Sequence, residues 1–248
     1  MTAQEIIDYM VSQGDDDQRR ILIGFFKTAP GEYGYGDKFI GLKVPQTREV
    51  VKIAKQLPLD EVPQLLTSEW HEVRLCGLLI MVSQFEAQAK KRLAYDEKAI
   101  RRRDEIVTMY LNHAERANNW DLVDMSAPKI LGHWLMLPTC LGDKQTIMDQ
   151  LAYSTNLWKQ RMSMVCTWKT MQMGDAAWCL RYAEIHLHHP HDLMHKAVGW
   201  MLRELGKRVS MDLLRDFLDQ HALDMPRTAL RYAIEKMTPE EREYWMKR

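Results

Sequence analysis

The stretch DLMHKAVGWMLRELGKR, residues 192 to 208, shows the pattern that decides the fold class of this 248-residue chain. Its apolar residues recur at intervals of three and four, which places them on one face of an α-helix. Similar stretches of about 10 to 18 residues fill most of the sequence, and the 12 glycines and 9 prolines fall mainly between them. No alternating strand pattern and no Asn-Gly or Asp-Gly hairpin signal occurs. We therefore predict an all-α fold.

Helix start signals recur along the chain. Thr2 and Glu5 form a predicted capping box, and the run Thr238-Pro239-Glu240-Glu241 combines a cap with a proline at the first helical position. With short connections, such helices are expected to pack as antiparallel pairs stacked into a HEAT-like solenoid with a concave groove, forming one domain over residues 1–248. Four further residues stand just before apolar-periodic runs: Asn156, Asp175, Asp192 and Ser210.

The composition excludes several classes of protein. Charged residues make up 27% and hydrophobic residues 46%, which is typical of a soluble globular protein. No stretch approaches the run of about 20 apolar residues that spans a bilayer. The N-terminal MTAQEIIDYM has acidic residues where a signal peptide needs basic ones, so a cytoplasmic location is expected.

The charge is balanced, with 34 Lys and Arg against 34 Asp and Glu. A protein that coats nucleic acid indiscriminately is thereby disfavoured. A local basic groove remains compatible with zero net charge, because the field depends on how charges are distributed.

Cysteines and histidines do not form a metal-binding pattern. The four cysteines lie far apart without a CxxC pair, and three of them sit in apolar helical patterns typical of buried free thiols. The histidines between 186 and 195 do not match HExxH, and no cysteine or paired carboxylate completes a ligand set. Because P-loop, GxGxxG, GxSxG and Cys-His nucleophile patterns are also missing, we expect neither a metal nor a cofactor. The histidines concerned are His186, His188, His189, His191 and His195.

One segment, TAPGEYGYGD from Thr28 to Asp37, interrupts the helical pattern with three glycines, a proline and two tyrosines. It fits two interpretations. One is a surface loop between the second and third helices, and the other is a flexible aromatic loop that contacts a ligand.

The run Asn118-Asn119-Trp120-Asp121-Leu122-Val123-Asp124 is the densest candidate for chemistry. If Asn119 caps a helix, Trp120 and Asp124 lie four residues apart on one face. Asp121 then falls in the first turn, where a carboxylate complements the helix dipole. Asp124 has no such structural role, so both a structural and a functional interpretation stay open for it.

Two further segments carry cations beside tryptophans. Trp158 and Arg161 are three residues apart, so the arginine either covers apolar surface with its stem or presents its charge to a phosphate. Lys196, Trp200 and Arg203 share a helical face, with Lys207 continuing it, as on a helix that faces nucleic acid or on a solvated charged face. Gly199 within that helix suggests the close approach of another helix or of a ligand.

Taken together, WDLVD (120–124), LWKQR (157–161) and HKAVGWMLREL (195–205) resemble the AlkD-like DNA alkylation repair enzymes. FFK (25–27), DKFIGLKVPQTR (37–48) and MPRTALRYAIEK (225–236) are also similar to the family, in order along nearly the whole chain. The resemblance implies a solenoid of HEAT-like repeats whose basic groove holds duplex DNA. It also implies a glycosylase that releases N3- or N7-alkylated purines in base excision repair.

The resemblance assigns roles to individual residues. It implies that Asp124 is the catalytic carboxylate, and that Trp120 and Trp200 are the cleft tryptophans. Arg161 is implied to hold a phosphate, and a contact tyrosine falls on Tyr33 or Tyr35. Lys196 and Arg203 are expected to add DNA contacts.

The leading hypothesis is a monofunctional alkylpurine DNA glycosylase that acts as a monomer on duplex DNA, close to the nucleoid. The alternative is a non-catalytic HEAT-type module that binds DNA or protein and does not depend on Asp124. A metalloenzyme centred on the histidine cluster would require stoichiometric metal in the purified protein.

Overall fold

The computed structural model describes all residues from Met1 to Arg248 and is built from sixteen α-helices. The only β-type pairing is an isolated bridge between Lys38 and Trp70. The all-α fold predicted from the sequence is therefore confirmed.

The chain forms two compact units, of which the first comprises Met1–Ile130 and Pro138–Cys140. Short 3-10 turns at Leu59–Glu61, Lys91–Leu93 and Ala114–Arg116 interrupt it. Its helices are α1 (Ala3–Ser12), α2 (Asp16–Phe25), α3 (Val44–Ala54), α4 (Val62–Leu66), α5 (His71–Gln88), α6 (Glu97–Asn112) and α7 (Trp120–Ser126).

The second unit comprises Leu131–Leu137 and Leu141–Arg248. A π-helical segment, Pro128–Gly132, precedes its first helix. Whether residues 1–248 behave as one domain, as expected, stays a prediction. The helices of this unit are α8 (His133–Leu135), α9 (Lys144–Ala152), α10 (Leu157–Val165), α11 (Thr167–Gln172), α12 (Ala177–Ile185), α13 (Asp192–Arg208), α14 (Met211–His221), α15 (Arg227–Ala233) and α16 (Pro239–Lys247).

Helix α5 is the centre of the first unit. Thirteen of its 18 residues are buried, including all of its first three turns, and it packs against α3, α4, α6 and α7. A helix segment enclosed in this way is held by close-packed contacts on every side. The N-terminal end of α5 therefore offers a rigid support for residues from neighbouring elements.

Helix α13 is the central helix of the second unit, where it packs against α10, α11, α12, α14 and α15. A Cβ atom at Gly199 would lie 2.3 Å from the backbone oxygen of Ala229 on α15. The close helix approach suggested by this glycine is thus confirmed, since any larger residue at this position would push α15 away.

The predicted start signals mostly cap helices as expected. Thr2 and Thr238 form capping boxes, and Asn156 and Ser210 accept N–H groups of α10 and α14. Two predicted caps lie one residue away from the observed cap positions. Asp192 lies inside α13 and pairs with Lys196, because the ring of His191 accepts the Leu193 N–H as the cap. Asp175 stands two residues before α12, where it accepts the N–H of Ala177.

None of the helices is long and apolar enough to cross a membrane. All four cysteines are free, and Cys76, Cys166 and Cys179 are buried. The expectation that three thiols lie in the core is therefore confirmed. Burial raises the pKa of Cys76 to about 12, so its thiol stays protonated.

Candidate functional site

Helix α7 carries the tryptophan and the aspartate that the sequence placed on one face. Asn119 precedes it in extended conformation and accepts the N–H of Trp120 at 2.9 Å. This confirms the predicted cap. Leu122 and Val123 turn into the core, while Trp120 and Asp124 are half-buried.

Trp120 and Asp124 line one cavity of about 430 Å³ in the first unit. Most of its wall is apolar, and apolar surroundings strengthen any charge interaction inside. The aromatic and aliphatic wall consists of Phe25, Phe26, Phe39, Trp120, Leu22, Leu42, Val44, Pro45, Leu75 and Met125. The polar lining consists of Gln18, Lys43, His71, Glu72, Asp121 and Asp124.

An aromatic stack forms one side of this cavity. The ring of Phe26 stacks on Trp120 with centroids 5.5 Å apart and on Phe39 with centroids 5.1 Å apart. Phe25, which is 59% exposed, meets the Trp120 indole edge to face at 5.9 Å. Such rings present π-faces that attract a cation near their centroids.

The three carboxylates of the lining differ in what they bind. Glu72, 2% exposed, accepts the N–H groups of Ile40, Gly41 and Leu42. Asp121 is also buried and pairs with His71. Asp124 is the least buried of the three, so it is the carboxylate best placed to meet a ligand in the cavity.

Asp121 belongs to a buried chain of charges. His71 Nε2 lies 2.9 Å from Asp121 Oδ2, and His71 Nδ1 lies 2.7 Å from Asp37 Oδ2. The other oxygen of Asp37 accepts a hydrogen bond from Arg74. Besides its place in the first turn, Asp121 therefore anchors α7 to the start of α5.

The charges around His71 and Asp37 shift the pKa of these two groups. Burial alone would lower the pKa of His71, but the charges and hydrogen bonds of Asp121 and Asp37 raise it to about 9. Burial alone would raise the pKa of Asp37, yet His71 and Arg74 hold it below its usual value. At neutral pH the histidine is therefore a cation between two anions.

The sequence interpretation missed His71 and Asp37 as parts of this site. Asp37 is the last residue of the glycine-rich loop, Thr28–Asp37. Together with the neighbouring Lys38 it forms no recognisable motif. His71 is a single histidine 34 residues further on, and no local spacing connects the two. The quoted similarity of residues 37–48 to the family was the one available signal.

The expected DNA contact of this loop falls on Tyr33 or Tyr35, and Tyr35 is 67% exposed. Tyr33 is half-buried. The segment Thr28–Asp37 is a surface loop without regular helix, as one of the two interpretations stated. Its role in binding stays a prediction.

In the second unit, Arg161 is buried, with 5% of its surface exposed. Its Nη1 donates to the backbone oxygen of Leu193 at 2.6 Å, which ties α10 to the first turn of α13. A phosphate contact by this side chain stays a prediction, and the structure adds a role in helix packing.

The predicted basic face of α13 is partly neutralised by acidic partners. Lys196 pairs with Asp192 at 2.6 Å, and Arg203 pairs with Glu235 of the segment after α15. Trp200, which lies between Lys196 and Arg203 in the sequence, is half-buried. DNA contacts by these three residues stay predictions.

The histidine cluster is engaged in hydrogen bonds within the second unit. His186 bonds Ser163 at 2.8 Å, and His189 bonds Gln160 at 2.8 Å. No group of three or more His, Cys, Asp or Glu side chains is arranged to hold a metal ion.

Comparison with known proteins identifies the family. A solved structure described as a predicted DNA alkylation repair enzyme from Enterococcus faecalis shares the fold, with a TM-score of 0.69 and 14% identity over 91% of this chain and 97% of that one. At this identity the likeness concerns the fold alone, and it agrees with the predicted fold class. No curated protein matches the chain. The family model described as DNA alkylation repair enzyme matches residues 6–237, and the chain therefore belongs to the DNA alkylation repair enzyme family.

Proposed function

We propose that the protein is a DNA glycosylase that releases N3- and N7-alkylated purines from duplex DNA. The observation that carries the proposal is the place of Asp124, a half-buried carboxylate in a largely apolar cavity beside the indole of Trp120. The family supports DNA repair of alkylation damage as the setting.

The chemistry of the lesion fits this site. A purine alkylated at N3 or N7 carries a positive charge, so it departs as a neutral base without being protonated. Positive charge then develops on the deoxyribose as the bond to C1′ lengthens. A fixed carboxylate near the sugar stabilises this cation and orients a water molecule.

The hydrolysis needs one water and no further reactant. The water oxygen bonds to C1′, the glycosidic bond electrons leave with the purine, and the water proton passes through Asp124 to solvent. The products are a neutral alkylpurine, an abasic site and a proton. The aromatic faces of Trp120 and Phe25 would hold the cationic base or sugar by cation–π attraction worth about 0.5–2 kcal/mol each.

DNA binding is proposed to involve the second unit as well. Arg161, Lys196, Arg203 and the indole of Trp200 are the proposed contacts, with Tyr35 added from the first unit. Contacts to phosphates set the register of a protein on duplex DNA without reading its sequence.

A non-catalytic DNA- or protein-binding module is the second candidate. It is favoured by the zero net charge and by the acidic partners of Lys196 and Arg203. The decisive experiment incubates the protein with a duplex that contains one N7-methylguanine and measures the free base released. Release above the rate without protein supports the glycosylase, and binding without release supports the module.

A further inference from the structure

In the wall of the cavity, a buried histidine connects three separate parts of the first unit. His71 begins α5, Asp37 ends the glycine-rich loop, and Asp121 lies in the first turn of α7. Building on the glycosylase proposed above, we propose that His71 is a positioning residue. As an imidazolium bonded to Asp37 and Asp121, it fixes α7 so that Asp124 faces the deoxyribose.

The geometry requires the cationic form of this ring. Both ring nitrogens of His71 face carboxylate oxygens, at 2.7 Å and 2.9 Å. A neutral imidazole has one donor and one acceptor nitrogen, so one of its lone pairs would point at a carboxylate. Only the imidazolium donates to both. Arg74, bonded to the other oxygen of Asp37, keeps that carboxyl ionised, and the four charges alternate in sign and cancel.

The bond to His71 is the only hydrogen bond of the Asp121 carboxylate, which lies in the first turn of α7. The remaining oxygen, Oδ1, is buried and accepts no hydrogen bond. Helix α7 has only seven residues, and so short a helix depends on its anchors for its place. Loss of the bond would leave a buried carboxylate without a partner, which drives the helix to move until that group reaches a donor or water.

Asp124 shares the movement of Asp121. The two residues are three apart on α7, so they lie next to each other along the helix. Both line the cavity together with His71. A displacement of about 1 Å at a reacting group lowers a rate by about 100-fold. Holding α7 in place is therefore enough to give His71 a large effect on catalysis without touching the substrate.

The charged groups around His71 come from each element packed against it. Asp37 and Asp121 contact it directly, and Arg74 lies behind Asp37. Arg116, in the turn before α7, is repelled by Arg74 and attracted by Asp37. Other charged groups in the surroundings are Glu72, which is bonded to backbone N–H groups, Lys43 and Asp124. The rings of Phe26 and Phe39, with centroids 4.8 Å and 4.6 Å from the imidazole, cover it.

The pKa of His71, about 9, sets the test. Single-turnover release of N7-methylguanine from a duplex is measured between about pH 6 and pH 10, with the protein-free rate subtracted. The wild-type rate should fall as the pH rises through about 9. His71→Gln should lower the rate at neutral pH by at least about 10-fold and remove the alkaline fall, with duplex affinity kept within about 2-fold.

A second variant keeps the inference testable if His71→Gln does not fold. Asp37→Asn leaves the bond between His71 and Asp121 in place but removes one anion, so the midpoint of the alkaline fall should move down toward the ordinary value of 6.5. His186→Gln, which removes a buried histidine bonded to Ser163 in the other unit, is the matched control and should leave the pH profile unchanged. Profiles of His71→Gln or Asp37→Asn that coincide with the wild type would overturn the inference.

A nuclear magnetic resonance titration separates this inference from the proposed function. If the wild-type protein releases no base, the glycosylase proposal fails, and the anchor is still tested by the resonances of the His71 ring and the Trp120 indole. A His71 that titrates near 9 and moves the Trp120 signal at the same midpoint supports the anchor. A His71 that titrates near 6.5, or a Trp120 signal that ignores it, refutes it.

Discussion

Replacing Asp124 with asparagine is expected to slow base release by roughly 150-fold. A carboxylate about 4 Å from a unit positive charge gains about 4 kcal/mol at an effective dielectric constant of about 20. That intermediate value suits Asp124, which is half-buried in a mostly apolar cavity. The amide oxygen of asparagine retains part of this attraction. The barrier is therefore expected to rise by about 3 kcal/mol, which slows the reaction by roughly 150-fold.

The assay is single-turnover release of free N7-methylguanine at neutral pH from a duplex with one lesion. Asparagine has nearly the same volume as aspartate, so the unfolding temperature and the affinity for undamaged duplex should stay close to those of the wild type. Asp60→Asn is the matched control, because Asp60 is an exposed carboxylate of the same unit that does not line the cavity. An Asp124→Asn rate within a few-fold of the wild type would show that no carboxylate at this position stabilises the reaction.

Four further perturbations, three substitutions and a change of pH, test the rest of the structure. Arg161→Ala should weaken duplex binding without changing sequence preference. In anisotropy titrations, the slope of the logarithm of the binding constant against the logarithm of the salt concentration should become shallower by about 0.9. An unchanged slope would mean that Arg161 only serves its hydrogen bond with α13. Gly199→Ala should lower the free energy of unfolding in urea by about 1–3 kcal/mol, since its Cβ would lie 2.3 Å from a backbone oxygen of α15. Gly24→Ala in α2, whose Cβ meets no atom within 4 Å, should instead raise it by about 0.4–1 kcal/mol. The raised pKa of His71 contributes stability that is complete below its ordinary value of 6.5 and is lost as pH rises through about 9, so the unfolding free energy of the wild type, but not of His71→Gln, should carry this loss.

Much of the fold follows from local sequence. Helix positions depend on apolar spacings of three and four and on caps within one turn, and both are interactions between near neighbours in the chain. The cap at Asn119 and the shared face of Trp120 and Asp124 were predictable for this reason. The displaced start at Asp192 shows the limit, because His191 offered a competing acceptor one residue earlier.

The conformation of the cavity depended on tertiary structure. Asp37, His71 and Asp121 are separated by 34 and 50 residues, and no periodicity relates positions that far apart. Only the packing of α7 and the glycine-rich loop against α5 brings them together. The contacts made there raise the pKa of His71 and lower the pKa of Asp37, in each case against the effect of burial.

The partners of the basic residues show the same division. The pairing of Lys196 with Asp192 is a neighbour interaction on α13 that the sequence contained. The pairing of Arg203 with Glu235 and the bond from Arg161 to Leu193 join residues 32 apart in each case. The sequence by itself determined which helices form and which side chains share a face, because those relations repeat every turn. Which side chains meet, and which charges are buried, was decided by the tertiary structure, because contact between distant residues depends on how whole helices pack.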